Sequence, residues 1–200
     1  MPTARAPLPP DDDLEPEDDA VLAGRREAGV RFAGARLSRA DLSDARLANL
    51  TVQNCAIASS NLANLTARGA ELRRVTVAGS RLTGVTFTEA ALTDVTFRGC
   101  RVDLASFGAS RLERVTFEDC NLARTDFLEA ELGSVRFHGC DLRAADFRGA
   151  RLRHCELRGC ELAELEGVEH LRGAALEWEA IVGMAGVWAA ALGIETLDDH

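Results

Sequence analysis

Large apolar residues return along this chain every five positions. Phe stands at 97, 107, 117 and 127, with Val102, Leu112 and Leu122 midway between. A step of five turns an α-helix by about 500°, so such residues would drift round its axis. On a strand an odd step sends them to alternate faces. Two positions before each centre sits a small or medium residue: Val95, Cys100, Ala105, Ser110, Val115, Cys120. Residues two apart on an extended chain point the same way, so each pair goes inside together. Two positions after the centre stand Gly99, Arg114, Asp119 and Arg124, which belong outside or in a turn. The pattern predicts one short extended side and one corner per five residues, winding a coil around a filled interior.

Centres run from Phe32 to Leu162 in 27 slots, and each is Leu, Phe, Val or Ile except Ala67. All eight Phe lie on centres, and all six Cys lie two positions before one. Such order predicts a solenoid. The alternation of Phe with aliphatic residues favours four sides and 20 residues per coil. Phe87, Phe107, Phe127 and Phe147 then stack on one side, with Phe97, Phe117 and Phe137 opposite. Cys100, Cys120, Cys140 and Cys160 form one column, continued by Ser80 and Ser60. Just under seven coils, stacked at about 4.8 Å, give a rod on the order of 32 Å long. Ala67 leaves an underfilled centre, where a local bulge is expected.

The stretches "ARLSRADLSDARLANL" and "CDLRAADFRGARLRHCELRGCEL" match the tandem A(D/N)LXX pattern, and over residues 30 to 166 the chain resembles the pentapeptide-repeat family. The resemblance implies an all-β solenoid, a right-handed four-sided β-helix. The tail "LRGAALEWEAIVGMAGVWAAALGI" looks like the helical C-terminal cap of the fluoroquinolone-resistance branch, where that helix forms a dimer contact. That branch is thought to imitate DNA with an acidic surface. The resemblance thus implies, as an alternative function, binding of DNA gyrase or another topoisomerase with quinolone or toxin protection.

Composition divides the chain into three. Residues 1–29 hold all five Pro and carry −5, so they read as a disordered acidic tail. No apolar h-region is present there, so no secretory signal is expected and the protein is placed in the cytoplasm. Residues 30–166 are the β-helix. Residues 167–200 are a cap and helix. The overall charge of −9 resides in the two ends, because residues 30–165 carry +2. The rod therefore lacks an acidic stripe. Without Lys, a basic face or outward aromatics it is not expected to bind nucleic acid directly. The acidic side chains available to a partner are Glu118 with Asp119 on one side and Asp126 with Glu129 on the next.

Candidate chemistry is sparse. The Cys column reads as a reduced ladder of small buried side chains, since no CxxC pair exists and parallel Cβ atoms stand wider than a disulfide prefers. His138 and His154 face outward while Cys140 and Cys155 face inward, so no zinc site is expected. A filled rod offers no cleft for a Ser–His–Asp set. No catalytic, metal or cofactor residues are assigned, and no enzyme activity is expected. From Glu177 helix formers take over, and Trp178, Ile181, Val182, Ala185, Trp188 and Leu192 share one face. Its 15 uncharged residues, 180–194, are short for a bilayer span. This face is assigned to a homodimer contact, and the other to the open end of the rod. The function expected is a rigid protein-binding scaffold with an unidentified partner.

Overall fold

The computed structural model describes residues 4–11, 14–18 and 20–195. The chain winds as a right-handed four-sided β-helix of about eight coils. Every parallel pairing between Glu15 and Arg158 advances by 20 residues, from Glu15↔Ala35 through Val75↔Val95 to Phe137↔Leu157. Corners fall two residues after each centre. There the backbone adopts positive φ, from Arg39 (55°) to Glu164 (58°), and Gly takes many of these positions. A left-handed residue turns the chain and resets the alternation, which is what a five-residue period requires.

The four sides are unequal. Thr51–Ala58, Glu71–Ala78, Ala91–Arg98 and Arg111–Glu118 are eight-residue strands that continue through one corner. Apart from the ladder of Arg26–Ala28 with Arg46–Ala48, the other two sides meet their neighbours through single bridges, such as Arg81↔Arg101 and Thr86↔Ser106. Half the outline is thus continuous sheet, and half is turns.

Phe residues fill the lower coils. Phe97, Phe117 and Phe137 stack at 4.9 and 5.3 Å, as do Phe107, Phe127 and Phe147 at 5.3 and 4.9 Å. The two columns meet edge to face across the axis, Phe127 and Phe137 at 81°. Both geometries suit the aromatic quadrupole. In the upper coils Leu, Ile and Val replace Phe and leave an apolar cavity of about 20 Å³ near Leu37, Ile57, Val77 and Phe97. Ala67 produces no bulge: its amide keeps the regular bond to Thr86 O at 2.8 Å, and the residue is fully buried. Backbone bonds on both neighbours hold the register, so the missing volume does not move the chain.

The small-residue column also bonds coil to coil. Ser60 Oγ accepts from Ala40 N–H at 3.0 Å and donates to Ala58 O at 2.9 Å. Lower down the thiols take over, Cys120 Sγ donating to Phe97 O at 3.5 Å and Cys140 Sγ to Phe117 O at 3.4 Å. Cys100 and Cys160 make equivalent bonds. Cys100, Cys120, Cys140, Cys155 and Cys160 are free thiols. The neighbouring thiol of Cys120, joined at Cys140 by that of Cys160, and then burial push the Cys100 and Cys140 thiols up.

The N-terminal boundary differs from the expected one. Glu15–Asp18 pairs with Ala35–Ser38, and Arg26–Ala28 pairs with Arg46–Ala48. The solenoid therefore gains a first coil within the segment read as a disordered tail. Of its centre slots only Leu22 and Phe32 are apolar, so the period is invisible there. Backbone pairing needs no particular side chain, and the exposed edge of the next coil templates it. Residues 4–11 lie along the continuous corner, with Ala4 only 3% exposed. Asp12, Asp13 and Asp19 of the expected tail lie outside the described residues.

At the other end Gly167 breaks the centre column. Its φ is 73°, and a Cβ there would stand 2.4 Å from Arg148 N, so only glycine lets the chain leave so close to the preceding coil. A turn of 3-10 helix, Val168–His170, follows, and Ala174–Leu176 then pairs with Cys155–Leu157, a register of 19 instead of 20. The terminal helix is two short ones, α1 (Trp178–Gly183) and α2 (Ala185–Ala191), breaking at Met184 between Gly183 and Gly186.

Candidate interaction surfaces

With the interior filled, whatever this chain does it does on its outside. Its long sides are laced by ion pairs between coils. Arg111 and Arg151 flank Glu131 at 2.7 and 3.7 Å, Arg98 meets Glu118 at 2.7 Å, and Arg68 meets Glu89 at 2.6 Å. Within one coil Arg143 holds Asp141 and Arg148 holds Asp146, at 2.7 and 2.6 Å. Side-chain bonds from these arginines hold the Glu131, Asp141 and Asp146 carboxyls below the usual carboxylate range. Exposed pairs of this kind add little stability, but they cancel each other's field a few ångströms out. Gly133 opens a shallow depression on one side, and across it Glu113 and Arg153, two coils apart, meet at 3.3 Å.

The four acidic candidates do not form one surface. Glu118 and Asp119 follow Phe117, whereas Asp126 and Glu129 flank Phe127, and those two Phe columns line opposite sides of the rod. Two five-residue steps separate them, so the expectation of successive sides is corrected. Glu118 is tied to Arg98, and Asp126 accepts bonds from Ser106 Oγ at 2.9 Å and Leu128 N–H at 2.6 Å. Asp119 and Glu129 occupy left-handed corners.

The terminal helices divide their faces differently from the expected pattern. Met184 is buried, and Ala180, Val187 and Trp188 pack with it against the last coil. Trp188 therefore caps the rod instead of facing away from it. Ala180, Met184, Val187 and Trp188 stand at i, i+4, i+7 and i+8, one helical face, and the bonds Met184 N–H to Ala180 O and Trp188 N–H to Met184 O keep that face aligned through the break. Trp178, Val182 and Leu192 remain 72%, 55% and 76% exposed, with Ile181 and Ala185 beside them. Two isolated leucines, Leu104 and Leu128, are also exposed on the long sides.

The continuous corner carries the second concentration of features. Asp94, buried in the fold, accepts from Arg114 Nε at 2.7 Å and Nη2 at 2.9 Å, and from Leu8 N–H at 3.2 Å. The Arg114 bonds, helped by Leu8 N–H, keep the Asp94 carboxyl below its ordinary value against the opposing effect of burial. Asn54 Oδ1 accepts from Asp11 N–H at 2.6 Å, Arg74 lies 3.5 Å from the Asp11 carboxylate, and Arg136 donates to Ala4 O. Sequence reasoning missed this surface, since nothing in the repeat signals a segment lying across it. Among the described residues no cluster of His, Cys, Asp and Glu is arranged to hold a metal, and no helix is long and apolar enough to cross a membrane.

These features describe a β-solenoid in which each coil is built of four pentapeptides, and the comparisons agree. The profile "Pentapeptide repeat region" matches residues 90–166, and "Pentapeptide repeats (8 copies)" matches residues 28–64 and 70–108. The chain belongs to the pentapeptide-repeat family. Among solved structures it is similar to QnrB1, a plasmid-mediated fluoroquinolone resistance protein, at 18% identity and a TM-score of 0.40, covering 90% of this chain and 100% of that one. It is similar also to HetL of the cyanobacterium Nostoc sp., involved in heterocyst differentiation regulation, at 18% identity and a TM-score of 0.34, covering 80% and 90%. A pentapeptide repeat protein of the Arabidopsis thaliana thylakoid lumen aligns at 16% identity and a TM-score of 0.16, covering 82% and 77%. No curated protein matches the sequence.

Proposed function

We propose that the protein is a non-catalytic scaffold that dimerises through its terminal helices and presents rigid sides to a macromolecular partner. The observation that carries this reading is the contrast between rod and end. The sides are regular and charge-paired, while Trp178, Val182 and Leu192 stand in water at one end. Apolar area of that size, stabilising by about 25 cal/mol per Å² when covered, favours a second surface against it. A two-fold contact places the same helices of two chains face to face. Affinity capture from the native host tests the scaffold. A reproducible partner lost on charge reversal along one side supports it, and recovery of the chain alone at native abundance refutes it.

Imitation of DNA on a gyrase is the weaker reading. It needs carboxylates spaced like phosphates along one face, whereas Glu118 is neutralised by Arg98 and the other candidates lie on opposite sides. Purified protein is expected to leave gyrase supercoiling largely unchanged. Inhibition at sub-micromolar protein would reverse the order of the two readings.

A further inference from the structure

The N-terminal segment Ala-Arg-Ala-Pro-Leu-Pro-Pro-Asp, residues 4–11, runs along the continuous corner from Arg136 at one end to Asn54 at the other. Ala4 is buried, Pro7 and Pro10 are half-buried, and the residues between them are exposed. A polyproline II helix has three residues per turn, so positions 4, 7 and 10 form one face. The backbone donors fit the same frame. Leu8 N–H reaches Asp94 and Asp11 N–H reaches Asn54, three residues apart on the segment and two coils apart on the rod. Three residues of polyproline II advance about 9.3 Å, and two coils about 9.6 Å. Pro7, Pro9 and Pro10 carry no N–H, so they leave no backbone donor to be paired.

We propose that this corner is a recognition groove for an extended proline-rich segment, with a small residue, then Pro at every third position, then an acidic residue. The chain's own residues 4–11 occupy it, and a partner protein carrying such a segment docks by displacing them. This deepens the scaffold reading and rests on it.

The groove has the parts such a ligand needs. Asp94, held in place by Arg114, offers a fixed acceptor to a backbone N–H. Arg136 offers a donor to a carbonyl at the start of the segment, and Arg74 attracts a carboxylate at its end. The resident segment is held lightly. Ala4 is its one buried side chain and lies outside the main core cluster, and Leu8 is 58% exposed. Contacts that bury little apolar surface open locally at far lower free energy than the coils beneath them. An extended proline-rich ligand is already ordered, so it loses little entropy on docking.

A labelled synthetic peptide of residues 3–12 is titrated against the parent chain and against a full-length variant whose residues 4–11 are replaced by Gly and Ser. Saturable 1:1 binding to the variant, about tenfold tighter than to the parent, is expected. Asp94→Ala in the variant, or Pro7→Ala with Pro10→Ala in the peptide, should each weaken binding by about tenfold. No saturable binding by a variant that keeps the parent's far-UV spectrum and melting curve overturns the proposal. Amide exchange on the unaltered chain decides if the variant does not fold. Leu8 and Asp11 amides should be protected yet exchange well before those of Val95 and Val115. Protection equal to Val95 would make the segment a permanent strap, and no protection would leave the groove empty, and either result overturns the proposal. A dimer abolished by the Gly/Ser replacement would assign the groove to a second copy's segment, again overturning it. Partner capture that survives Asp94→Ala would leave the scaffold standing and remove only the groove.

Discussion

The rings of Phe117 and Phe137 lie 5.3 Å apart with planes 3° from parallel, although 20 residues separate them in the chain. One coil is thus one layer of the core. Phe117→Ala should cost about 3–5 kcal/mol, because Phe97 and Phe137 are fixed by their own coils and cannot collapse into the gap. Thr116→Ala, one residue away and outward, should cost under about 1 kcal/mol. Denaturant melts of both variants check this, and comparable losses would contradict the layer assignment.

Thiol reactivity should follow burial. Five of the six Cys are buried and Cys160, in the last coil, is partly exposed. Burial pushes the Cys155 thiol up, which disfavours the reactive thiolate. In the native protein Cys160 should react first with a thiol reagent and the others slowly, and all six should react at once in denaturant. Fewer than six in unfolded, unreduced protein would mean a disulfide.

Leu104 occupies a left-handed corner, φ 58°, and is 55% exposed. A side chain there is strained and gains little by packing. Leu104→Gly should therefore raise stability by up to about 1 kcal/mol, even though glycine usually destabilises. A lower melting temperature for this variant would show that the leucine has packing value.

Acid should loosen the N-terminal segment before the coils. Folding lowers the Asp94 pKa, chiefly through Arg114, so the folded form binds its proton less readily than the unfolded chain. The resulting stability is complete above the ordinary carboxylate range, about pH 4, and is lost as pH falls through the depressed value. Leu8 amide protection should fall in that acid window, and Asp94→Asn should flatten the acid limb of the stability curve. An unchanged limb would show that other carboxylates carry it.

The two Trp should behave oppositely. Trp178→Glu should convert a sedimenting dimer to monomer with little change in the melt. Trp188→Ala should lower the melting temperature by uncapping the last coil, where Trp188 packs beside Met184. A parent already monomeric at micromolar concentration would leave the helices a capping role alone.

Much of this fold was legible because one local rule, centre and corner, repeats at Phe32, Leu37, Leu42 and onward without insertion. The 20-residue coil, the side on which each Phe stacks and the alignment of Cys100, Cys120, Cys140 and Cys160 in one column all follow from a single period. The first coil was not legible, since Glu27 sits where a centre should be and pairing with Leu47 is carried by backbone alone. Nor was the groove, because Arg74, Asp94 and Arg136 each look like ordinary outward residues until the chain's start is laid beside them. The break at Met184 was hidden too, since the apolar spacing of residues 178–192 suits a continuous helix and the flanking glycines give no direction of bend.

The paired Phe columns end at Phe87, and above it Leu47, Ala67, Ile57 and Val77 carry the axis past a small void. In a stack where each coil touches only its neighbours, the strength of each junction is set by what meets across it. The rod is therefore mechanically polarised. Pulled or heated, it should unravel from the N-terminal end and stall at the first aromatic layer, as a zipper does at a tight tooth. A partner gripping the aromatic half holds a stiff handle, and one gripping the other half holds a spring.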